Sequence, residues 1–322
     1  MTSSNRALVV GEALVDVRID ERSGDQSAEE HPGGSPLNIA VGMARLGIAT
    51  TLAVQIGDDA RGDAIARHVA ASGVDLLRLS PQRATSTATA RVQADGAATY
   101  EFDLSWDPDE LPDPAGFALV HVGSIGAVLT PGAERVADLV AAARSAGVPV
   151  SFDPNARPGV TPDLDDLRRR SRLLAGGATV VKLSDEDAEV VYPGTDPERV
   201  ARDLAELPDV RLAAVTLGGG GLLLDDGNEA VTVRAPSVEV ADTIGAGDTV
   251  MATLLAALLE HDMLAVAPQS ADRPTTIRGS AAQNPRIVGL GWLGELAVTA
   301  AAITCSRPGA DPPWRSELPG LA

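Results

Sequence analysis

From residue 118 onward, short uninterrupted apolar runs alternate with segments of helical periodicity, and this alternation limits the possible folds more than any other feature of the chain. The runs at 118–122, 149–152, 179–183 and 212–217 read as strands, and 132–146, 164–174 and the acidic stretch through 207 as helices. A strand that is apolar on both faces needs cover on both, so the pattern implies an α/β fold with a parallel sheet between helical layers. The earlier part of the chain fits the same scheme. Residues 7–17 predict a central strand, 37–46 a helix started by Ser35-Pro36, 51–56 a strand, and 60–72 an amphipathic helix ending at Gly73. Later, 222–224 and 230–233 predict a hairpin, and 247–259 and 292–305 two long apolar helices. The polar stretch 263–286 between those helices reads as a surface loop.

Two segments break the rhythm. Residues 85–92 and 98–104 alternate, are rich in Thr, and are separated by Ala94-Asp95-Gly96, a hairpin signal. With the polar segment 17–30 they predict a small sheet outside the main layers. Such strands would need a partner to cover an apolar face, which predicts a homodimer through this small sheet.

Composition excludes several classes. The formal net charge of −19 disfavours nucleic acid or an anionic membrane as a partner. Cys305 is the only cysteine, so there is no intrachain disulfide and no multi-cysteine metal site. The start of the chain lacks a signal-peptide pattern, and the longest apolar stretch, 287–305, is interrupted by Glu295 and several glycines. A soluble cytoplasmic protein is the expectation. Lys182 is the only lysine and follows Val181, so no Gly-Lys-[Ser/Thr] phosphate loop exists. His31, His68, His121 and His261 are scattered without metal spacing, and His121 reads as a hydrogen-bonded strand-end residue. No Gly-x-Ser-x-Gly elbow occurs. Gly245-Ala246-Gly247 lacks the third glycine of a dinucleotide fingerprint, since Val250 occupies it, which disfavours a dehydrogenase.

Four segments have the residues for chemistry. In Asp242-Thr243-Ile244-Gly245-Ala246-Gly247-Asp248, a Gly-Ala-Gly turn opens a helix whose first amides lack intrahelical partners and suit an anion. Asp248, in the first turn beside that anion site, can take a proton from an attacking hydroxyl. A lone acid there more often only stabilises the helix start, but the preceding glycines and Asp242 favour the functional reading. In Gly33-Gly34-Ser35-Pro36-Leu37-Asn38, paired glycines admit a ligand close to the backbone, and an Asn amide both donates and accepts, as sugar hydroxyls require. Taken alone, it is also a common loop. Asp16, read as ending the first strand, lies where open α/β sheets bind ligands. Thr216-Leu217-Gly218-Gly219-Gly220-Gly221 is either a nucleotide-facing glycine run or a plain β-turn. Asp153-Pro154-Asn155-Ala156-Arg157 brings an amide and a guanidinium to the same sheet edge.

Together and in this order, these segments resemble the PfkB (ribokinase-like) carbohydrate kinase family over essentially the whole chain. GGSPLNIAVGMARLG at 33–47 and DTIGAGDTVMATLLAAL at 242–258 are similar to its two signatures. Gly57-Asp58, 153–157, 182–189 and 216–221 also match. Residues 11–16, 182–186 and 305–313 are most similar to fructokinases. The resemblance implies a ribokinase-like three-layer αβα sandwich with a mostly parallel central sheet. It would be a single domain over 1–322, with a small β-sheet lid from about 17–32 and 85–106. It implies transfer of the ATP γ-phosphoryl group to a sugar hydroxyl, with ATP and Mg²⁺ as cofactors and K⁺ in some members. Fructose is the favoured sugar. 2-keto-3-deoxygluconate kinase, ribokinase and a catalytically silent sugar- or nucleotide-binding regulator are the alternatives. A nucleoside kinase is disfavoured, because the lid offers only Tyr100, Phe102 and Trp106 for stacking.

Carried over residue by residue, the resemblance makes Asp248 the base and the amides of Gly245, Ala246 and Gly247 the anion hole. Asp16, Gly33, Gly34, Asn38, Phe102 and Arg157 would hold the sugar, and Lys182, Ser184, Thr216, Gly218 and Gly221 would line the nucleotide. Asp242 would sit at a monovalent-cation site. The family's magnesium-linked Asn-x-x-Glu aligns with Ser184-Asp185-Glu186-Asp187, which makes Asp187 the acid, with Glu186 or Glu189 as alternatives. The lid's Phe-Tyr-Arg of many fructokinases reads Glu101-Phe102-Asp103 here.

Overall fold

The computed structural model describes residues 6–20, 28–80, 84–93, 98–264, 287 and 289–321. The expected Ala94-Asp95-Gly96 turn and nearly all of the 263–286 loop lie outside the described residues.

The main sheet contains β1 (Arg6–Val10), β4 (Ala49–Val54), β5 (Asp75–Arg78), β8 (Leu119–Gly123), β9 (Val150–Asp153), β10 (Val180–Ser184), β11 (Leu212–Thr216), β12 (Leu222–Asp225) and β13 (Ala230–Val233). Their order is β13-β12-β11-β10-β9-β8-β1-β4-β5. Pairing is parallel from β11 through β5 and antiparallel for β12 and β13. Strand residues alternate between two cores. Ala7 and Val9 join the core with α1 (Ser35–Arg45), α8 (Ala246–Glu260) and α9 (Leu290–Cys305). Leu8 and Val10 join the opposite core with α4 (Gly132–Ser145), α5 (Leu164–Gly176) and α7 (Pro197–Ala205). This is the expected layered arrangement, and α6 (Asp185–Val191) follows β10 directly. Helix α8 is buried from Asp248 through Leu259, which accounts for its lack of a polar face.

The small sheet is also present: β3 (Ala28–Gly33), β2 (Leu14–Asp20), β6 (Ser86–Val92) and β7 (Ala98–Asp103), in that order. It corrects one expectation. Residues 7–17 are not one central strand: β1 ends at Val10, and β2 leaves the main sheet to pair with β3 and β6. The break falls at Gly11, where a Cβ would lie 2.5 Å from the Pro36 ring. Val15 and Val17 are apolar because they are buried on the inner face of the small sheet, near α2 (Ala60–Ala71). Asp16 therefore belongs to the small sheet, not to a main-sheet strand end. Register places Asp16, His31, Ala88 and Phe102 in one row across that sheet. Among the elements not expected are the mostly exposed edge strand β5 and the short helix α3 (Ser124–Val128).

Among the described residues, no helix is long and apolar enough to cross a membrane.

Candidate active site

Helix α8 begins where Gly245, at φ +76°, takes a left-handed conformation that favours glycine. A Cβ there would also lie 2.6 Å from the Ala310 Cβ. The turn so formed carries Ala246, Gly247 and Asp248 as the first three helical residues. In a first turn, the amides have no carbonyl one turn earlier to bond. Of the three donors expected from sequence, the Ala246 amide already donates to the Thr243 carbonyl at 3.3 Å.

Asp248 is 9% exposed and is gripped by the first turn of α1. The Ser35 hydroxyl donates to Oδ1 at 2.6 Å, and the Asn38 amide donates to Oδ2 at 2.8 Å. Helices α1 and α8 can approach this closely because residue 42 is glycine: a Cβ there would lie 2.7 Å from the Ala252 Cβ. Asn38 thus sits against the expected base, and Ser35, which sequence reasoning passed over, is its second partner. Their spacing of three residues on a helix was the available signal.

Gly34 caps α1 at φ +109°, and a Cβ there would press on the Glu12 carbonyl at 2.9 Å. A Cβ on Gly33 would strike Asp16 Oδ2 at 2.2 Å, so the missing side chain makes room for that carboxylate. The surrounding protein raises the Asp16 carboxyl above its ordinary range, while His31 and Arg157 draw it back down. Arg157 is exposed and donates to the Ala156 carbonyl at 3.0 Å. Phe102, on β7, is 39% exposed.

The floor of the site holds two buried acids to which sequence reasoning gave no role, Asp153 having been read only as the start of the segment that carries Asn155 and Arg157. Glu12, between β1 and β2, accepts from the Gly126 amide at 2.7 Å. Burial raises its carboxyl from 4.5 to about 7, against the hydrogen bonds of Ser124 and Gly126, and the nearby Asp248 charge pushes the same way. Asp153, at the end of β9, is fully buried and accepts from Lys182 Nζ at 2.8 Å. Burial raises it to about 6 against the pull of Lys182. His121 is buried, bonds Ser151 Oγ through Nδ1 at 2.9 Å, and is kept neutral by burial and by Lys182, at about 3.

Asp187 has both oxygens engaged by backbone. Oδ1 accepts from the Ala156 amide at 2.7 Å and Oδ2 from the Ser184 amide at 3.0 Å, completing a capping box with Ser184. It ties the loop after β9 to α6. Asp242 likewise accepts from the Ile244 and Gly309 amides, each at 3.0 Å. It fastens the segment before α8 to the C-terminal loop. Among the described residues, no group of three or more His, Cys, Asp or Glu is gathered to hold a metal ion. Thr216 ends β11. Gly218 is exposed, at φ +51°, with open space at its Cβ position. Gly221 is different: buried at φ +108°, it would place a Cβ 2.0 Å from the Val233 carbonyl, so packing alone requires it. Lys182 does not reach the surface beside Thr216; it is buried beneath the turn at Gly247.

The model of the pfkB family carbohydrate kinases matches residues 4–285. A fructokinase of Klebsiella pneumoniae is 33% identical over 276 residues, covering 82% of this chain and 89% of that protein. A fructokinase of Escherichia coli is 31% identical over 263 residues, covering 79% and 85%. Among solved structures, a fructokinase from Xylella fastidiosa with bound ATP has a TM-score of 0.78 at 24% identity, over 99% of this chain and 98% of that one. A double mutant of the Vibrio cholerae O395 fructokinase, with fructose, ADP and potassium ion bound, has a TM-score of 0.75 at 25% identity, over 96% and 94%. With the fold shared along nearly its whole length and the family model matched from residue 4 to residue 285, this chain belongs to the pfkB family of carbohydrate kinases, phosphotransferases with an alcohol group as acceptor.

Proposed function

We propose that this chain transfers the γ-phosphoryl group of Mg-ATP to a hydroxyl of fructose, with Asp248 as the base. The observation that carries the reading is the placement of Asp248 in the first turn of α8, its two oxygens oriented by Ser35 and Asn38. The similarity to fructokinases supports the choice of sugar.

Asp248 takes the proton of the sugar hydroxyl as that oxygen attacks the γ-phosphorus. The bond to the bridging oxygen of ADP breaks, and its electron pair leaves with ADP. Charge spreads over the transferring phosphoryl oxygens, so positioning and electrostatic stabilisation do most of the work. The amides at the start of α8 face that charge without reorganising. Bound Mg²⁺ would supply neutralisation of the phosphate charge. Asp187 serves this site by pinning the loop that carries Arg157. Asp16, His31 and Phe102 share one face of the lid sheet, and the Arg157 charge reaches Asp16, so these groups would surround the sugar. Thr216 and Gly218 edge the nucleotide side.

The test is ADP release from Mg-ATP with fructose, ribose, 2-keto-3-deoxygluconate, glucose and adenosine in parallel. Fructose is expected to give the highest kcat/KM. A higher value for another sugar replaces the substrate and keeps the chemistry. Sugar-dependent thermal stabilisation without turnover on any of them contradicts the reading and indicates a silent binder.

Assembly follows from the same lid. Tyr100 is 68% and Phe102 39% exposed on the same face of the sheet as Asp16, and a second copy of this sheet would cover the part of that face the sugar leaves open. Light scattering is expected to give a dimer at micromolar concentration; a monomer removes the idea.

A further inference from the structure

The mechanism above gives no role to the buried cation Lys182. Lys182 is the only lysine of the chain, and it is set into an otherwise apolar part of β10. A charge there is costly unless it is paired. It is paired: the Lys182 side chain is 5% exposed, that of Asp153 is fully buried, and Nζ donates to Asp153 Oδ2 at 2.8 Å. Immediately above lies the first turn of α8. A Cβ on Gly247 would come within 2.8 Å of Nζ, so the ammonium touches the underside of the Gly-Ala-Gly turn. A compact ammonium fits such a space where the planar fork of an arginine would not.

The charged groups around Nζ come from several elements: Asp153 from β9, Asp187 from α6 and Asp248 from α8. Burial lowers the Lys182 pKa, but these three carboxylates outweigh it and raise it above the ordinary lysine value. His121, on β8, is neutral and adds no charge. If Lys182 served only to neutralise Asp153, the pair could be exchanged for uncharged residues without loss of function. Its position beneath the turn gives it a second role.

We propose that Lys182 is a positioning residue for phosphoryl transfer: its buried ammonium supports the turn from beneath and supplies positive potential that holds the Asp248 carboxylate and the transferring phosphoryl oxygens in register. The inference rests on the reading of Asp248 and the α8 turn given above. It also assigns Gly247 a reason to be glycine beyond the backbone, since any side chain there displaces Nζ.

Two variants and one spectroscopic measurement test it. In Lys182→Met, kcat with Mg-ATP and fructose is expected to fall about 10²-fold, the scale of losing one stabilising donor. KM for fructose is expected to stay within about twofold, because the side chain does not face the sugar. The double variant Lys182→Met with Asp153→Asn removes both charges of the pair. It is expected to regain the wild-type melting temperature yet keep at least about a tenfold deficit in kcat. Wild-type kcat in the double variant overturns the proposal, leaving Lys182 as a counter-charge only.

Should neither variant fold, the wild-type protein decides. Labelled with ¹³C-lysine, the full chain gives one lysine Cε resonance. Saturating Mg-ATP, without sugar, is expected to shift that resonance; an unmoved signal overturns the proposal. Calorimetric binding of Mg-ATP to the same sample separates that result from failure of the kinase reading, which would appear as no binding at all.

Discussion

Asp248→Asn is expected to lower kcat about 10²–10⁴-fold, the usual contribution of a positioned general base, and to leave the fold intact. The substitution keeps the shape of the side chain. Its amide oxygen can still accept from Asn38, and the Ser35 hydroxyl can turn from donor to acceptor, so both contacts to α1 survive. What is lost is the ability to hold the proton of the sugar hydroxyl. KM for the sugar is therefore expected to change little, and steady-state kinetics with a parallel melting curve is the check. A kcat within about threefold of wild type would remove Asp248 from the role of base.

The second large effect concerns stability and comes from Glu12. Its carboxyl ionises at about 7 in the folded protein against 4.5 ordinarily, because burial opposes the charge more than the bonds from Ser124 and Gly126 favour it. The folded state therefore holds a proton that the unfolded chain has released. The associated stability is fully present below about pH 4.5 and is lost as pH rises through about 7. The difference between the two values is worth about 3 kcal/mol. Glu12→Gln stays neutral at every pH and still offers an oxygen to the Gly126 amide. Urea unfolding at pH 5 and pH 8 is expected to show the wild type losing about 2–3 kcal/mol more than the variant between the two conditions. Other titrating groups are common to both proteins and cancel. Parallel pH profiles would mean that Glu12 is ionised in the native state throughout.

Much of this architecture was legible because it is local. Alternating apolar strands and helices could only be covered as a layered parallel sheet, and the Thr-rich alternation at 85–104 marked a sheet with one open face. The Gly-Ala-Gly turn marked the start of α8 within seven consecutive residues. What escaped was set by distant partners. Nothing near residues 7–17 shows that the run crosses from one sheet to another, since Val15 and Val17 are as apolar under the lid as they would be in the main sheet. Ser35 meets Asp248 across 213 residues, and only its place one helical turn before Asn38 hinted at that contact. Glu12 and Lys182 did leave a trace: each is a single charged residue in an apolar run. Their charge is now seen to be buried in the floor of the site, where each must find a partner or a proton.

In a carbohydrate kinase the phosphoryl group ends on a sugar hydroxyl. The most direct measurement is the ³¹P NMR spectrum of the products formed from Mg-ATP and fructose, with Asp248→Asn run in parallel. A fructose phosphate monoester is expected to accumulate in step with ADP, with neither forming at a comparable rate in the variant. Inorganic phosphate in place of the ester, or an ester formed equally fast by the variant, would contradict it.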